Sequence, residues 1–450
     1  MICVIPIEII VRELDYVLYL SLHLASKGLS TMIGDHMVNR FIMDSNGPFV
    51  YFDSDQNKRI NTTVLNKGGA VINLNSELQG YIDDPDQMQK NFIKVINYAS
   101  KICLSGQAQI EPLSRFVPEN RIKDLVVTGH PSFDLASHRF IPYYTNKDII
   151  RNHGRDYILM NTSFGMFNHE MGFENYLNML SKMQEWAVYT TPEHRAHLQQ
   201  RYEHEEKTAT AFIELAKVLS KQYPNKHIII RPHPAESMYF YTKQLSNYPN
   251  IFVTKKNSVR QWIVTAGAIV HHDCTTGLEA LLMDKLVIQY QPDTDTQNSS
   301  EFMNRIGVRT NNSNETIALI DSGHMPKTIR HETLESLRLG MDNLDGCASI
   351  KLADLAISLS TDTGSWMPKP LGLWGNIKCW RKYASKLLRA RQPGRNGKKV
   401  RYALNKFSRL KKNDIETKLH LLRSLEPELP KFEVQQLCLN NYLIKPAPKS

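Results

Sequence analysis

His227-Ile228-Ile229-Ile230-Arg231-Pro232-His233-Pro234 reads as a short apolar strand that runs into a stiff polar turn. Pro232 removes a backbone donor, so the strand stops at Arg231. In an open parallel sheet the loops beyond the carboxyl ends of the strands are where ligands sit. This loop offers a permanent cation, Arg231, and an imidazole, His233. The fork of donors on arginine suits a phosphate or diphosphate, and a histidine can neutralise a leaving group. The plain alternative is a rigid turn whose arginine makes an ordinary ion pair.

Working outward, the same alternation recurs on both sides. Tyr157–Asn161, Ile251–Thr254, Ala268–His271 and Leu286–Tyr290 read as strands, with helices at Glu193–Gln222, Ser258–Thr265 and Gly277–Met283. Upstream, Ile2–Ile9 and Leu29–Gly34 read as strands around a helix at Arg12–Ser26 that ends at Lys27-Gly28. Further apolar runs follow at Pro48–Phe52, Ala70–Leu74, Lys101–Leu104 and Leu125–Thr128. Strand and helix in repetition mean parallel sheets with covering helices. His130 to Asp156 breaks the pattern and reads as a crossover between two domains, 1–145 and 155–365, with a tail at 370–450.

Four more segments sit where strands end. In His271-His272-Asp273-Cys274-Thr275-Thr276-Gly277-Leu278-Glu279-Ala280 a strand passes through a small turn into a helix. Free N–H groups and hydroxyls at a helix start make an anion site. On this reading His272, Thr275, Thr276 and Gly277 support a phosphate, with Gly277 allowing close approach, and Glu279 takes ribose hydroxyls. Thr276 and Glu279 equally match a capping box. Adjacent histidines on a strand point to opposite faces, so no shared metal is expected. Glu77, in Asn73–Tyr81, is a loop carboxylate and a candidate catalytic group beside His233. Gly129–Asp134 and Asn161–Gly165 are polar turns that either line a site or act as hinges.

Composition restricts the classes. The chain has 450 residues, 42% hydrophobic and 22% charged, enough for more than one globular core. Six scattered cysteines, with no C-x-x-C pair, fit a reducing compartment. No signal peptide and no apolar span of transmembrane length is read. The net charge of +10 is local: Asn376 to Lys412 carries 14 Lys plus Arg and no acid, which leaves the rest at −4. Trp380, Tyr383, Ala384, Leu387 and Leu388, then Val400, Ala403, Leu404, Phe407 and Leu410, follow helical spacing there. Cationic amphipathic helices suit an anionic membrane surface, and no nucleic-acid-binding signature is present.

Arg231-Pro232-His233-Pro234 with His272–Ala280 resembles the donor-domain pattern of GT-B glycosyltransferases. Ile5-Pro6-Ile7-Glu8, Arg12-Glu13-Leu14-Asp15, Gly69–Gly80, Thr128–Asp134 and Asn161–Phe164 resemble bacterial surface carbohydrate biosynthesis proteins, related to capsule-type Kdo (ulosonate) transferases and CDP-glycerol polyol-phosphate transferases. The similarity covers roughly residues 1 to 300. Where that family has Glu-Glu-Gly this chain has Ser76-Glu77-Leu78-Gln79-Gly80, and His130-Pro131-Ser132 stands for Asn-Pro-Arg. The resemblance implies a GT-B fold, two Rossmann-like domains facing a cleft, with the acceptor held by the first and a nucleotide sugar by the second. Arg231 and His233 would contact the donor phosphate, Thr275, Thr276 and Gly277 support it, Glu279 hold the ribose and Glu77 face the acceptor. It implies a metal-independent transferase without a bound cofactor, using a CMP-linked ulosonic acid such as Kdo or a sialic-acid relative. The expected place is the cytoplasm, peripheral to the inner face of the membrane, acting on a surface glycan. A CDP-polyol phosphotransferase, a sugar-nucleotide 2-epimerase and a non-catalytic subunit of a polysaccharide assembly complex stay open.

Overall fold

The computed structural model describes residues 1–54, 57–74, 95–180, 191–292, 303–360 and 366–448, except positions 339, 343 and 345. Two parallel-sheet α/β units organise them, the fold class expected from the alternating pattern. The strands are β1 (Ile2–Pro6), β2 (Ser30–Gly34), β3 (Val50–Asp53), β4 (Ala70–Leu74), β5 (Lys101–Leu104), β6 (Leu125–Val127), β7 (Tyr157–Asn161), β8 (Ile228–Arg231), β9 (Ile251–Val253), β10 (Ala266–His271), β11 (Leu286–Tyr290), β12 (Val308–Thr310), β13 (Phe432–Cys438) and β14 (Asn441–Pro446). The helices that matter below are α1 (Ile10–Ser26), α2 (Pro192–Gln222), α3 (Val259–Ile263), α4 (Thr275–Leu282), α5 (Ala348–Ser358), α6 (Leu373–Ala390), α7 (Gly394–Lys406) and α8 (Lys412–Leu425).

Unit 1 holds residues 1–143, 335–388 and 406–450. Its sheet runs β13-β14-β2-β1-β3-β4-β5-β6. The six strands β1–β6 are parallel, and β14 pairs antiparallel to β2. Strands buried on both faces read as continuous apolar runs, as Ile2-Cys3-Val4 and Val71-Ile72 do, all at 0% exposure. α1 is buried from Glu13 to Ala25, nearly all round. Sequence periodicity showed one apolar stripe; the opposite side is covered by α5 and α8. Lys418 of α8 pairs with Asp15 at 2.6 Å, and the Tyr19 hydroxyl donates to Glu426 at 2.9 Å.

The expected division at 365 and the helical tail at 370–450 therefore need correction. Residues 335–360 belong to unit 1, because Asp134 caps the start of α5: its carboxylate accepts from the Ala348 and Ser349 amides. The basic segment is helical, but the chain regains acids after Lys412 and ends in the β13–β14 hairpin, with Leu439-Asn440 as the turn. Asn440 adopts a left-handed φ of 65° in that turn, a conformation asparagine tolerates better than most residues. Gly34 is required opposite it: a Cβ there would lie 2.3 Å from Asn441 Oδ1 and 2.7 Å from the Asn440 carbonyl. Asp134→Ala is expected to cost about 1–2 kcal/mol, the worth of a helix N-cap. Asp134→Asn should recover part of that, since an amide replaces only one of the two acceptors. Urea unfolding checks both.

Unit 2 holds residues 144–334 and 389–405, so the linker reading of His130–Asp156 splits near Tyr144. Its sheet, β12-β11-β10-β7-β8-β9, is parallel throughout. From β7 the chain winds outward through β8 and β9, then returns to the other side of β7 at β10. The order thus reverses between β7 and β10, the kind of switch point where open sheets bind ligands. None of the six cysteines is in a disulfide. Among the described residues no helix is long and apolar enough to cross a membrane.

Candidate functional site

The switch point in unit 2 is built from four strand ends. Register aligns Arg231, Asn161, His271 and Gln289 across β8, β7, β10 and β11. In-register neighbours project to the same face, so a polar row closes the carboxyl end of an otherwise apolar sheet. The loops beyond are tied to one another. Ser163 Oγ donates to the His272 carbonyl at 2.6 Å, and Asn161 Nδ2 donates to Thr276 Oγ1 at 3.0 Å.

Glu236 holds the other half of the arrangement, and sequence reasoning did not single it out. It is fully buried and accepts hydrogen bonds from the Thr162 hydroxyl (2.9 Å), the Phe164 amide (3.1 Å), the His233 amide (3.1 Å) and the Tyr241 hydroxyl. The loop after β7 is thereby locked to the loop after β8. Burial pushes its carboxyl above the ordinary 4.5, against the pull of those donors. Lys255 adds a clamp from the β9 side, donating to the Pro234 carbonyl at 3.2 Å.

On that loop Arg231 and His233 are presented differently. Arg231 donates to the carbonyls of Lys256 (2.6 Å) and Asn257 (3.0 Å) and lies over the Trp262 ring at 5.7 Å. Among the described residues no carboxylate pairs with it, and its charge is met by the two carbonyls and the Trp262 ring. Burial lowers its pKa to about 10, which leaves it cationic at neutral pH. His233 is exposed, and its Nδ1 accepts from the Ala235 amide at 3.2 Å, which puts the proton of the neutral ring on Nε2.

The start of α4 is the third component. Cys274 is its extended N-cap, φ −127° and ψ 130°, with no side-chain cap, and the first turn has no acid. The capping box that Thr276 and Glu279 match in the sequence is not formed, and Glu279 is not free to serve a ribose alone. Glu279 instead pairs with Arg260 of α3 at 2.7 Å, while Arg260 also reaches the Tyr144 hydroxyl at 3.1 Å. Arg260 is 5% exposed and needs that counter-ion, which assigns Glu279 a structural task. The Thr276 hydroxyl points back to Cys274 Sγ at 3.1 Å. Thr275, Thr276 and Gly277 therefore lie together at an uncapped helix N-terminus.

Two expectations from the sequence need correction. Gly277 serves packing: a Cβ would meet His271 Nε2 at 2.4 Å. His272 faces away into an aromatic cluster with Phe164 and Phe212, and its Nδ1 donates to the Tyr290 carbonyl at 3.2 Å. Burial pushes both His271 and His272 down to about 4, so neither is a cation at neutral pH. The two rings do diverge as strand neighbours should, and no group of metal-ligating side chains occurs among the described residues. Glu77 lies outside the described residues. In unit 1 Glu13 accepts from the Glu8 amide at 2.8 Å and pairs with Arg12, which secures the turn before α1. His130 Nδ1 meets Ser132 Oγ at 2.6 Å within its own turn.

No family model and no curated protein matches this chain. Solved structures are similar in overall course at low identity. MnaA from S. aureus, in a co-structure with UDP, aligns with a TM-score of 0.47 and 12% identity over 81% of this chain and 98% of its own. The wall teichoic acid polymerase TagF, soaked with CDPG, gives 0.45 and 10% over 79% and 88%. Anabaena HepE in complex with UDP-glucose gives 0.40 and 10% over 80% and 97%.

Proposed function

We propose that this protein is a metal-independent glycosyltransferase that moves a sugar from a nucleotide donor to a bacterial surface glycan. The observation that carries the reading is the uncapped start of α4 at the switch point of a sheet whose neighbouring strand ends in Arg231. A helix start without a side-chain cap and an arginine charge without a carboxylate partner together favour a bound phosphate. Such groups stabilise a departing nucleotide phosphate without a metal, because they are aimed before the charge develops. His233, whose neutral ring carries its proton on Nε2, donates to the leaving phosphate. Glu77 stays proposed as the acceptor-side carboxylate. The donor class, a CMP-linked ulosonic acid, and the glycan acceptor rest on the sequence resemblance, and a place at the inner membrane face rests on the cationic amphipathic pattern of residues 376–412.

A thermal-shift panel of CMP, CDP, UDP, GDP and UMP tests this. A ligand at a hundred times its Kd adds about 2.7 kcal/mol to the native state. CMP is expected to raise the melting temperature. Arg231→Ala should weaken that binding about ten- to hundredfold, the worth of a charge-assisted contact. Arg231→Lys should fall between, because it keeps the charge and loses the fork. A shift with UDP alone would replace the ulosonate reading by hexosyl transfer or epimerisation. No shift with any nucleotide would overturn nucleotide-dependent catalysis altogether.

A further inference from the structure

We infer that α6, and not the neighbouring α7, is the element that lies in an anionic lipid surface. This refines the membrane part of the reading above and is independent of the nucleotide chemistry. Six of the fourteen large apolar side chains exposed among the described residues belong to this one helix: Leu373 (75%), Trp374 (77%), Ile377, Trp380, Leu387 and Leu388 (64%). Leu373, Ile377, Trp380, Ala384 and Leu387 recur four, three, four and three residues apart, so they form one stripe along about 21 Å of helix. The stripe faces outward. The half-buried positions are Gly375, Asn376, Cys379, Tyr383, Lys386 and Ala390, on another side of the helix, and Cys379 packs on the core of unit 1.

The helix is not a loose tail. Just before it, Trp366 packs on Phe49 with ring centroids 5.3 Å apart. The Leu371 amide donates to the Leu437 carbonyl at 2.8 Å, and the Asn376 side chain donates to the Leu371 carbonyl at 2.6 Å. The apolar stripe is therefore held out by structure on its other side. Both helices were expected to show such a stripe, but only α6 does. In α7 Val400, Tyr402 and Leu404 are half-buried, and Tyr402 packs against His169 at 5.5 Å.

Charge selects the occupant. Arg381 borders the stripe, Lys378, Lys382 and Arg389 stand exposed on the polar face of the same helix, and no acid occurs from Asn376 to Lys412. A second copy packed on α6 would bring cations against cations, where a helix seam needs opposite charges on its flanks. A nucleic acid would meet the cations and leave Leu373, Trp374 and Leu388 in water. An anionic phospholipid surface takes both: the apolar row enters the acyl boundary and the cations meet headgroups. Exposed tryptophans suit that depth.

The test uses the full chain and co-sedimentation with phosphatidylcholine vesicles, with and without phosphatidylglycerol. Wild type is expected to bind the anionic vesicles at least tenfold better. L387E/L388E adds two negative charges at exposed positions, and K398E/K399E on α7 changes the charge by twice as much. The inference requires the α6 variant to lose more binding, about tenfold or beyond, with both variants melting like wild type. A greater loss in the α7 variant would reduce the contact to plain electrostatics and overturn it. So would a wild-type dimer in gel filtration that L387E/L388E dissociates, or binding to a DNA duplex that resists L387E/L388E while vesicles bind nothing. Failure of the nucleotide panel leaves this result untouched, because no nucleotide is present.

Discussion

Glu236→Ala is expected to unfold unit 2 about 10 °C below wild type. Glu236 is at 0% exposure and receives donors from Thr162, Phe164 and His233 on both loops of the candidate phosphate site and from the Tyr241 hydroxyl on the helix that follows. Alanine leaves those donors without an acceptor in a dry space, which costs about 3–4 kcal/mol in total. For a domain of this size each kcal/mol moves the midpoint about 2–4 °C. Glu236→Gln should cost much less, because the Thr162 and Tyr241 hydroxyls can turn round and accept from the new amide while its oxygen keeps the backbone donors. The pH dependence separates the two effects. The folded-state pKa of Glu236 is raised, first by burial and also by Glu205 nearby, so the native state holds the proton more tightly than the unfolded chain. Stability from this group is then full below the ordinary 4.5 and is lost as pH rises through the raised folded value. The difference in unfolding free energy between Glu236→Gln and wild type should therefore grow in favour of glutamine across that window. A pH-independent difference would show that Glu236 enters and leaves the fold with an ordinary pKa.

The strand ends of both sheets were legible because prolines, glycines and polar turns mark them. Pro232 stops β8 at Arg231 as the missing donor requires, and α4 begins within two residues of the expected start. What the sequence conceals is long-range. Asn441 to Ile444 of β14 pair with β2, which lies some four hundred positions earlier, at Thr31 to Gly34. No local pattern announces that pairing. Glu279 met a capping motif in the sequence, and the motif lost to Arg260, a buried cation that needs a counter-ion. Glu236 looks like any loop glutamate until the β7 and β8 ends are placed side by side. His271 and His272 were read as divergent and His272 as supporting a phosphate, but burial, which a sequence does not state, decides whether an imidazole carries charge.

Gly277→Ala should lower stability by about 2 kcal/mol, although glycine to alanine inside a helix ordinarily gains about 1 kcal/mol. The steric contact decides the sign. The new methyl would lie 2.4 Å from His271 Nε2, 2.5 Å from Cε1 and 2.8 Å from Cδ2. That ring has nowhere to go. It is at 0% exposure on the central strand β10, with Nε2 donating to the Ile306 carbonyl at 3.0 Å. The start of α4 must move instead, and with it the Asn161 to Thr276 hydrogen bond of 3.0 Å that aligns the site. His271→Ala alone should cost about 2–3 kcal/mol through the cavity it opens. In that background the added methyl has room, and the helix propensity of alanine returns, so Gly277→Ala becomes neutral or stabilising. Urea unfolding of the four proteins gives the coupling directly, expected near 2 kcal/mol for residues in contact. An equal cost in both backgrounds would remove His271 as the reason for the glycine. If the single variant keeps wild-type stability and loses only nucleotide binding, Gly277 exists for close approach of a ligand, and packing against His271 is not what requires it.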